Sequence, residues 1–239
     1  LTKMVEDHFP KNEEFWHISI MGDKVFFQSF SGIYIYEKGE FEVVKANGFI
    51  TTSNKVNGQF LIAKKFHGIY EVSNDQLKPY IESDFFSNKS INFIEQLTEN
   101  QILLGTQDHG MFLYNQENHS LAPWAQEQKN WFIKNKINKG LISSEKKVIT
   151  GTILGGIKIF DKDGRLEQHI NIKSGMQSNT VHSLLSDSLG NIWVASDKGL
   201  DFISTSDASE SYNHFRHEEL GAVYSVAPYK GYLYVGTNQ

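Results

Sequence analysis

One segment recurs along this chain, and no other feature restricts its fold as strongly. The stretches QFLIAKKFHGIYEV, QILLGTQDHGMFLY, KVITGTILGGIKIF, NIWVASDKGLDFI and YLYVGTNQ begin near residues 59, 101, 147, 191 and 232, and each runs an apolar triplet into a small residue. Those small residues are Ala63, Gly105, Gly151, Ala195 and Gly236, at intervals of 42, 46, 44 and 41 residues. A few positions later Gly68, Gly110, Gly156 and Gly199 open a second apolar run. An earlier copy, KVFFQSFSGIYIY, keeps Gly32 but carries a glutamine near the small-residue position and is the most divergent. A period of roughly 40 to 50 residues marks a supersecondary unit that buries its apolar face only against its neighbours.

Residues 181 to 203 show what one unit contains. VHSLLSD alternates, DSLGN is a hairpin turn, IWVAS is a nearly continuous apolar strand, DKG turns again and LDFI follows, with a fourth strand implied. A strand that is apolar on both faces needs cover on both, which twisted sheets stacked face to face supply. The sequence therefore predicts an all-β fold, a β-propeller of four-stranded antiparallel blades: five complete repeats and the start of a sixth. The repeats lie near residues 16–48, 49–88, 91–130, 137–178 and 181–220, with a truncated one at 223–239. Solenoid repeats are usually shorter, and a sandwich has no reason to repeat its sequence. Small residues closing the second strand fit a crowded centre, while the 17 Phe, 10 Tyr and 4 Trp fill the space between blades.

Composition narrows the function classes. A formal charge of −5 with scattered lysines leaves no basic stripe for phosphates, so direct nucleic-acid binding by this segment is not expected. The chain has no cysteine, which removes disulfides and thiol chemistry without fixing a compartment. No run approaches 18 apolar residues. The sequence opens at Leu1 and stops at Gln239 partway through a repeat, so a segment of something longer is expected.

MQSNTVHSLLSDSLGNIWVASDKGL, residues 176 to 200, resembles the regulator-propeller repeat of bacterial two-component and related sensors. The matching positions are Ser178, Asn179, Val181, Asp187, Gly190, Asn191, Ile192, Trp193, Ala195, Ser196, Gly199 and Leu200. Other copies keep only a Gly-Thr pair, at Gly105-Thr106, Gly151-Thr152 and Gly236-Thr237. The order of the whole chain is similar to the sensor region of Bacteroidetes regulators with a triple-tyrosine domain. That resemblance implies a seven-bladed propeller whose first blades precede Leu1, followed by an immunoglobulin-like triple-tyrosine domain, a membrane helix and a cytoplasmic output module. It also implies a periplasmic location, a homodimer formed through the parent protein, membrane attachment only through parts absent from this segment, and an oligosaccharide ligand.

The polar motifs have structural readings. Asp187 and Asp161 sit in hairpin turns, where a carboxylate accepts its own turn amides; the position twelve counted from Asp161 is Ile172, not the glutamate of a calcium loop. His214 and His217 lie in NHFRHEEL without a third ligand placed by spacing. Neither a metal nor a cofactor is expected, and no catalytic set is visible, so a non-enzymatic sensor is the first reading. A propeller lyase of the virginiamycin B lyase kind, a glycan-cleaving propeller and a WD40-like scaffold are the alternatives; the last lacks its Trp-Asp signature.

Function on repeat scaffolds usually resides in loops. The loops between second and third strands hold Phe30; Lys65, Phe66 and His67; Gln107, Asp108 and His109; Ile153 and Leu154; and Asp197 and Lys198. Of these, Phe30, Lys65, Phe66, His67, Asp108, His109 and Lys198 are the candidate ligand-binding residues. Lys65, His67, Asp108, His109 and Lys198 can hydrogen-bond a sugar or pair with an acidic one, and Phe30 or Phe66 can stack on a pyranose face.

Overall fold

The computed structural model describes residues 13–73, 76–81, 83–204, 211–212 and 222–237. Two compact units divide the chain, Leu1–Ile94 and Glu95–Gln239. In the first, β1 (Phe15–Met21), β2 (Lys24–Ser29), β3 (Gly32–Glu37) and β4 (Glu40–Lys45) form one sheet in that order, and β5 (Ile50–Val56), β6 (Gln59–Lys64), β7 (Gly68–Ser73) and β8 (Gln76–Ile81) form the next. The boundary falls within β9 (Ile91–Thr98), which is followed in its sheet by β10 (Gln101–Thr106), β11 (Gly110–Asn115) and β12 (Leu121–Trp124). The second unit continues with β13 (Ile137–Ile142), β14 (Val148–Thr152), β15 (Ile157–Phe160) and β16 (Leu166–Ile170), then with β17 (Val181–Ser186), β18 (Ile192–Ser196), β19 (Gly199–Ile203) and β20 (Ser211–Tyr212). A hairpin of β21 (Val223–Tyr229) and β22 (Tyr232–Thr237) completes the described strands. The described strand pairings are antiparallel, and the architecture is an all-β propeller with four-stranded blades.

Burial follows strand position within a blade. The second strands are covered on both faces: Phe60 to Ala63 of β6 and all five residues of β14 are buried. Outer strands face water, as β16 does from Leu166 to His169. In the first unit Phe26, Ile33, Ile35 and Val44 pack with Ile50, Phe60 and Ile62, and the Phe26 and Phe60 rings stack at 4.1 Å. In the second, Ile149, Ile157 and Ile159 pack with Val181, Ile192 and Val194, and Ala195 and Leu200 pack with Val223. Each core is thus made by two consecutive blades, as the continuous apolar strands require.

The repeated small residue has a specific reason. Ala63, Gly105, Gly151, Ala195 and Gly236 are each the penultimate residue of a second strand. A Cβ on Gly151 would lie 2.5 Å from Val181 Cγ1, the side chain that opens the next blade, and Ala195 packs against Val223, which opens the hairpin after it. Fully burying such a valine is worth roughly 1.5 to 3 kcal/mol, so the gap left by the small residue is filled rather than empty. In the first blade Gln28 takes the position, buried, with an Oε1 that finds no hydrogen-bond partner among the described residues.

A second regularity has no counterpart in the sequence reading. Among the described residues, first strands are bulged near their start, between Phe15 and His17, Ile50 and Thr52, Ile137 and Lys139, Val181 and Ser183, and Val223 and Ser225. The extra residues are Trp16, Thr51, Asn138, His182 and Tyr224. A bulge turns one side chain away from the pleat. Thr51 uses that freedom to donate to the Ile91 carbonyl, and Asn138 Nδ2 donates to the Val181 carbonyl at 2.7 Å, so each ties its blade to the start of the next.

One insertion interrupts the repeat. Between β12 and β13 the chain forms a 3₁₀ turn, Gln126–Gln128, and a short helix, α1 (Lys129–Asn135). Trp131 of α1 lies across Lys158 Nζ, 3.9 Å from the ring centroid, and Gln128 Oε1 accepts from the same ammonium. Burial pulls Lys158 down to about 8. Among the described residues no helix is long and apolar enough to cross a membrane.

Lys158 and Asp201 occupy the same place in their blades, two residues after the glycine that opens the third strand, where the first three blades have Tyr34, Tyr70 and Phe112. Asp201 is 2% exposed; its Oδ1 accepts from Gln177 N at 3.1 Å and its Oδ2 has no partner among the described residues. Burial pushes the carboxyl up to about 6, against the pull of the Gln177 donors. Since the folded value lies above the ordinary 3.8, the favourable contribution is complete below about 4 and is lost as pH rises through about 6. Asp201→Asn is expected to flatten the stability profile between those limits and to raise the melting temperature at pH 7.5, read by thermal unfolding across a pH series. Gly151→Ala is expected to cost about 1 to 3 kcal/mol by urea denaturation, with Val181→Ala in the same chain restoring part of the loss.

Candidate functional site

The loops after the second strands are built by a hydroxyl. Ser29 accepts from Gly32 N at 3.0 Å and donates to the Gly32 carbonyl at 3.2 Å. Thr152 donates to the Gly156 carbonyl at 2.9 Å and accepts from Gly155 N at 3.0 Å; Thr106 does the same with the Gly110 carbonyl and His109 N. Ser196 donates to the Gly199 carbonyl at 3.1 Å. This is the physical content of the Gly-Thr pair in the repeat. The hydroxyl closes a tight loop, and the following glycine takes it into the third strand; Gly156, at φ +77° with a would-be Cβ 2.3 Å from the Ile170 carbonyl, shows why that residue is glycine.

The second blade breaks the pattern. Lys64 stands where the hydroxyl should be, and the loop closes instead through the backbone: His67 N donates to Lys64 O at 3.1 Å and Phe66 N to Lys89 O at 3.2 Å. The His67 ring, through Nδ1, donates to the Lys65 carbonyl at 2.7 Å. Phe66 is held at φ +65° and is 47% exposed. A left-handed conformation costs a bulky residue roughly 1 to 2 kcal/mol, and exposure returns little of it by burial.

Three further exposed rings adjoin this loop. Trp16, the bulged residue of β1, lies 4.9 Å from Phe30, and Phe30 lies 4.3 Å from Phe49 with an interplanar angle of 22°. Phe30 is thus in ring contact with both Trp16 and Phe49, tilted against the first and stacked on the second. Lys65 Nζ lies 5.8 Å from the Phe49 ring and 5.2 Å from the Phe66 ring. Backbone bonds fix the row: Ile50 N donates to Phe30 O at 2.9 Å and Lys65 N to Phe49 O at 2.8 Å. Trp16 is 43% exposed, Phe30 36% and Phe49 45%, although aromatic residues of this size are ordinarily covered.

The remaining candidates lie in the second unit. Asp108 Oδ1 lies 2.7 Å from His109 Nδ1, which makes no hydrogen bond among the described residues, and Lys136 Nζ lies 3.8 Å from Asp108 Oδ2. Lys198 is exposed, and its backbone N is 3.4 Å from Ser196 Oγ. Beside it Asp197 Oδ1 accepts from His182 Nε2 at 2.6 Å, and the His182 ring lies 4.8 Å from Tyr224. Burial pushes Asp197 up, but hydrogen bonds from His182 and Thr180 outweigh it and hold the carboxyl below its usual range. Ile153 N and Leu154 N donate to Asn135 O at 3.1 Å, which places that loop under the end of α1.

Both turn aspartates are engaged with their own turns. Asp187 Oδ1 accepts from Leu189 N at 2.9 Å and Asn191 N at 3.0 Å, and Asp161 Oδ1 accepts from Asp163 N and Arg165 N at 2.9 Å. His214 and His217 lie outside the described residues. Sequence reasoning missed Trp16, Phe49, His182 and Tyr224. Three of these are bulged residues of first strands, and Phe49 is in the link between blades.

The family described as two component regulator propeller matches residues 175–198, the stretch whose resemblance was read from the sequence. No curated protein matches the chain. Among solved structures, the extracellular domain of a putative hybrid two component system of B. thetaiotaomicron is similar with a TM-score of 0.77 at 18% identity, over 96% of this chain and 32% of its own. The extracellular domain of a putative one component system of the same organism is similar with a TM-score of 0.63 at 18% identity, over 82% of this chain and 27% of its own. Virginiamycin B lyase of Staphylococcus aureus is similar with a TM-score of 0.69 at 12% identity, over 92% of this chain and 76% of its own. The chain thus spans about a third of the first of these extracellular domains, and at such identities the likeness is one of fold.

Strain at an exposed ring gives the site a stability signature. Phe66→Gly is expected to leave the fold intact and to raise stability by up to about 1 kcal/mol in urea denaturation, because glycine removes the left-handed penalty while little buried area is lost.

Proposed function

We propose, from the regulator-propeller repeat at residues 175–198, that this chain is an extracytoplasmic, non-catalytic ligand-sensing segment of a membrane-spanning bacterial regulator that responds to saccharides. The observation that carries the reading is the exposed row of Trp16, Phe30 and Phe49 beside Lys65 and the strained Phe66. Rings that serve the fold are buried between blades, as Phe26 and Phe60 are. These are held in water by backbone bonds and, at Phe66, at a conformational cost, which is how a preformed binding surface is recognised. Sugar rings offer an apolar C–H face that suits exposed aromatic faces. The seven-bladed ring, the periplasmic location and homodimerisation through a parent protein belong to the same proposal; the likeness to extracellular domains of B. thetaiotaomicron supports the extracytoplasmic part.

A catalytic reading has one observation in its favour, the His182–Asp197 pair next to Tyr224, since a carboxylate that orients an imidazole can serve acid/base chemistry. Turnover of a saccharide that is lost in His182→Ala would establish that reading over the sensor.

Isothermal titration of the chain against a panel of oligosaccharides tests the sensor reading. Trp16→Ala and Phe66→Ala are each expected to weaken binding by more than about 1 kcal/mol, as truncation of a central aromatic contact does, while Tyr232→Ala, an exposed ring elsewhere, changes nothing. Affinity unchanged in both site variants overturns the site.

A further inference from the structure

The row is electrically polarised along its length, and that restricts what it binds. Beside Phe30, away from Lys65, stands a carboxylate: Ser31 Oγ donates to Glu13 Oε1 at 2.7 Å, and the Ser29 and Ser31 hydroxyls hold Glu13 below its ordinary range. At the Phe66 end stand cations. Lys65 makes no ion pair among the described residues and touches only ring systems at 5.2 and 5.8 Å. Lys89, whose carbonyl anchors Phe66 N, turns its ammonium to Phe85 O at 2.6 Å and Asn88 Oδ1 at 2.8 Å, and Lys64 Nζ lies 4.8 Å from the Tyr70 ring. Three lysines without a carboxylate partner among the described residues thus gather around one loop of a chain whose formal net charge is −5. Lys89 and Lys64 are held by neighbours, whereas Lys65 is exposed and weakly held, so its ammonium can turn to an incoming anion at small cost.

We infer that the row takes an anionic saccharide in a fixed direction, with a carboxylate or sulfate on Lys65 at the Phe66 end and the hydroxyl-bearing, uncharged end toward Trp16 and Glu13. The inference rests on the binding surface proposed above and assigns its ligand class and polarity. Glu13 repels an acidic group placed at the wrong end, so direction is set by repulsion as well as attraction.

Titration of the chain with tetragalacturonate, with its fully methyl-esterified form and with a chondroitin sulfate tetrasaccharide separates the possibilities. Expected is tighter binding of a carboxylate or sulfate ligand than of the ester by about tenfold, the usual worth of a hydrogen bond to a charged group. The acid-over-ester preference should vanish in Lys65→Met. Because both acids carry carboxylates and only the chondroitin sulfate tetrasaccharide carries sulfate, binding of tetragalacturonate shows that a carboxylate suffices, and binding of chondroitin sulfate alone assigns the sulfate. Equal affinity for acid and ester, both lost in Trp16→Ala, overturns the inference and leaves the binding surface standing. Affinities that Trp16→Ala does not alter overturn the surface itself, and binding of none of the three overturns the inference.

Discussion

A single blade of this protein cannot cover its own second strand. In β14 every residue is buried, yet one sheet offers cover from neither side of itself; the cover comes from the sheets before and after. The contact that lets consecutive sheets approach is the one between a small residue and a β-branched side chain opening the next blade, Gly151 against Val181 and Ala195 against Val223. Widening the small residue pushes two sheets apart along their whole length, because interiors are packed too densely to absorb a methyl group locally. The register of each blade, the placement of its loops and the direction of its bulged residue all follow from that seat.

The candidate site uses places where the repeat is free to vary. A hydroxyl at the end of the second strand normally spends itself on closing the loop, and with that bond made the loop is short and uniform. In the second blade lysine replaces it, the backbone takes over the closure, and an aromatic residue is carried into the left-handed region. A local rule broken in one copy and kept in its neighbours is more informative than an unusual residue in a chain without repeats, because the other copies show what the fold requires.

The strands, the small residue and the turn glycines were readable in the sequence, since each leaves a periodic trace. Lys65, Phe66 and His67 were readable as one loop because they fall between two strands that repeat. The bulges were not, for an added residue in a first strand leaves the burial of the flanking positions intact and shifts no marker in the second. Trp16 and His182 therefore looked like ordinary strand residues. Phe30 was legible as a loop aromatic, but its ring contacts with Trp16 and Phe49 depend on residues in two other segments. The same holds for Asp108, whose neighbour Lys136 comes from beyond the insertion. The interval of 46 residues between Gly105 and Gly151 is the longest of the four, and α1 lies inside it, yet an interval says nothing of what fills it.

The recurring bulge separates what must be conserved from what can change. Each one lifts a single side chain out of the pleat, and the five found here are Trp, Thr, Asn, His and Tyr, chemically unrelated residues at one structural address. A position that accepts such variety without disturbing the sheet works as an exchangeable fitting. Where the bulged residue is not itself a tie to the next blade, as Thr51 and Asn138 are, exchanging it alters a surface group and leaves the small-residue seat between blades as it was.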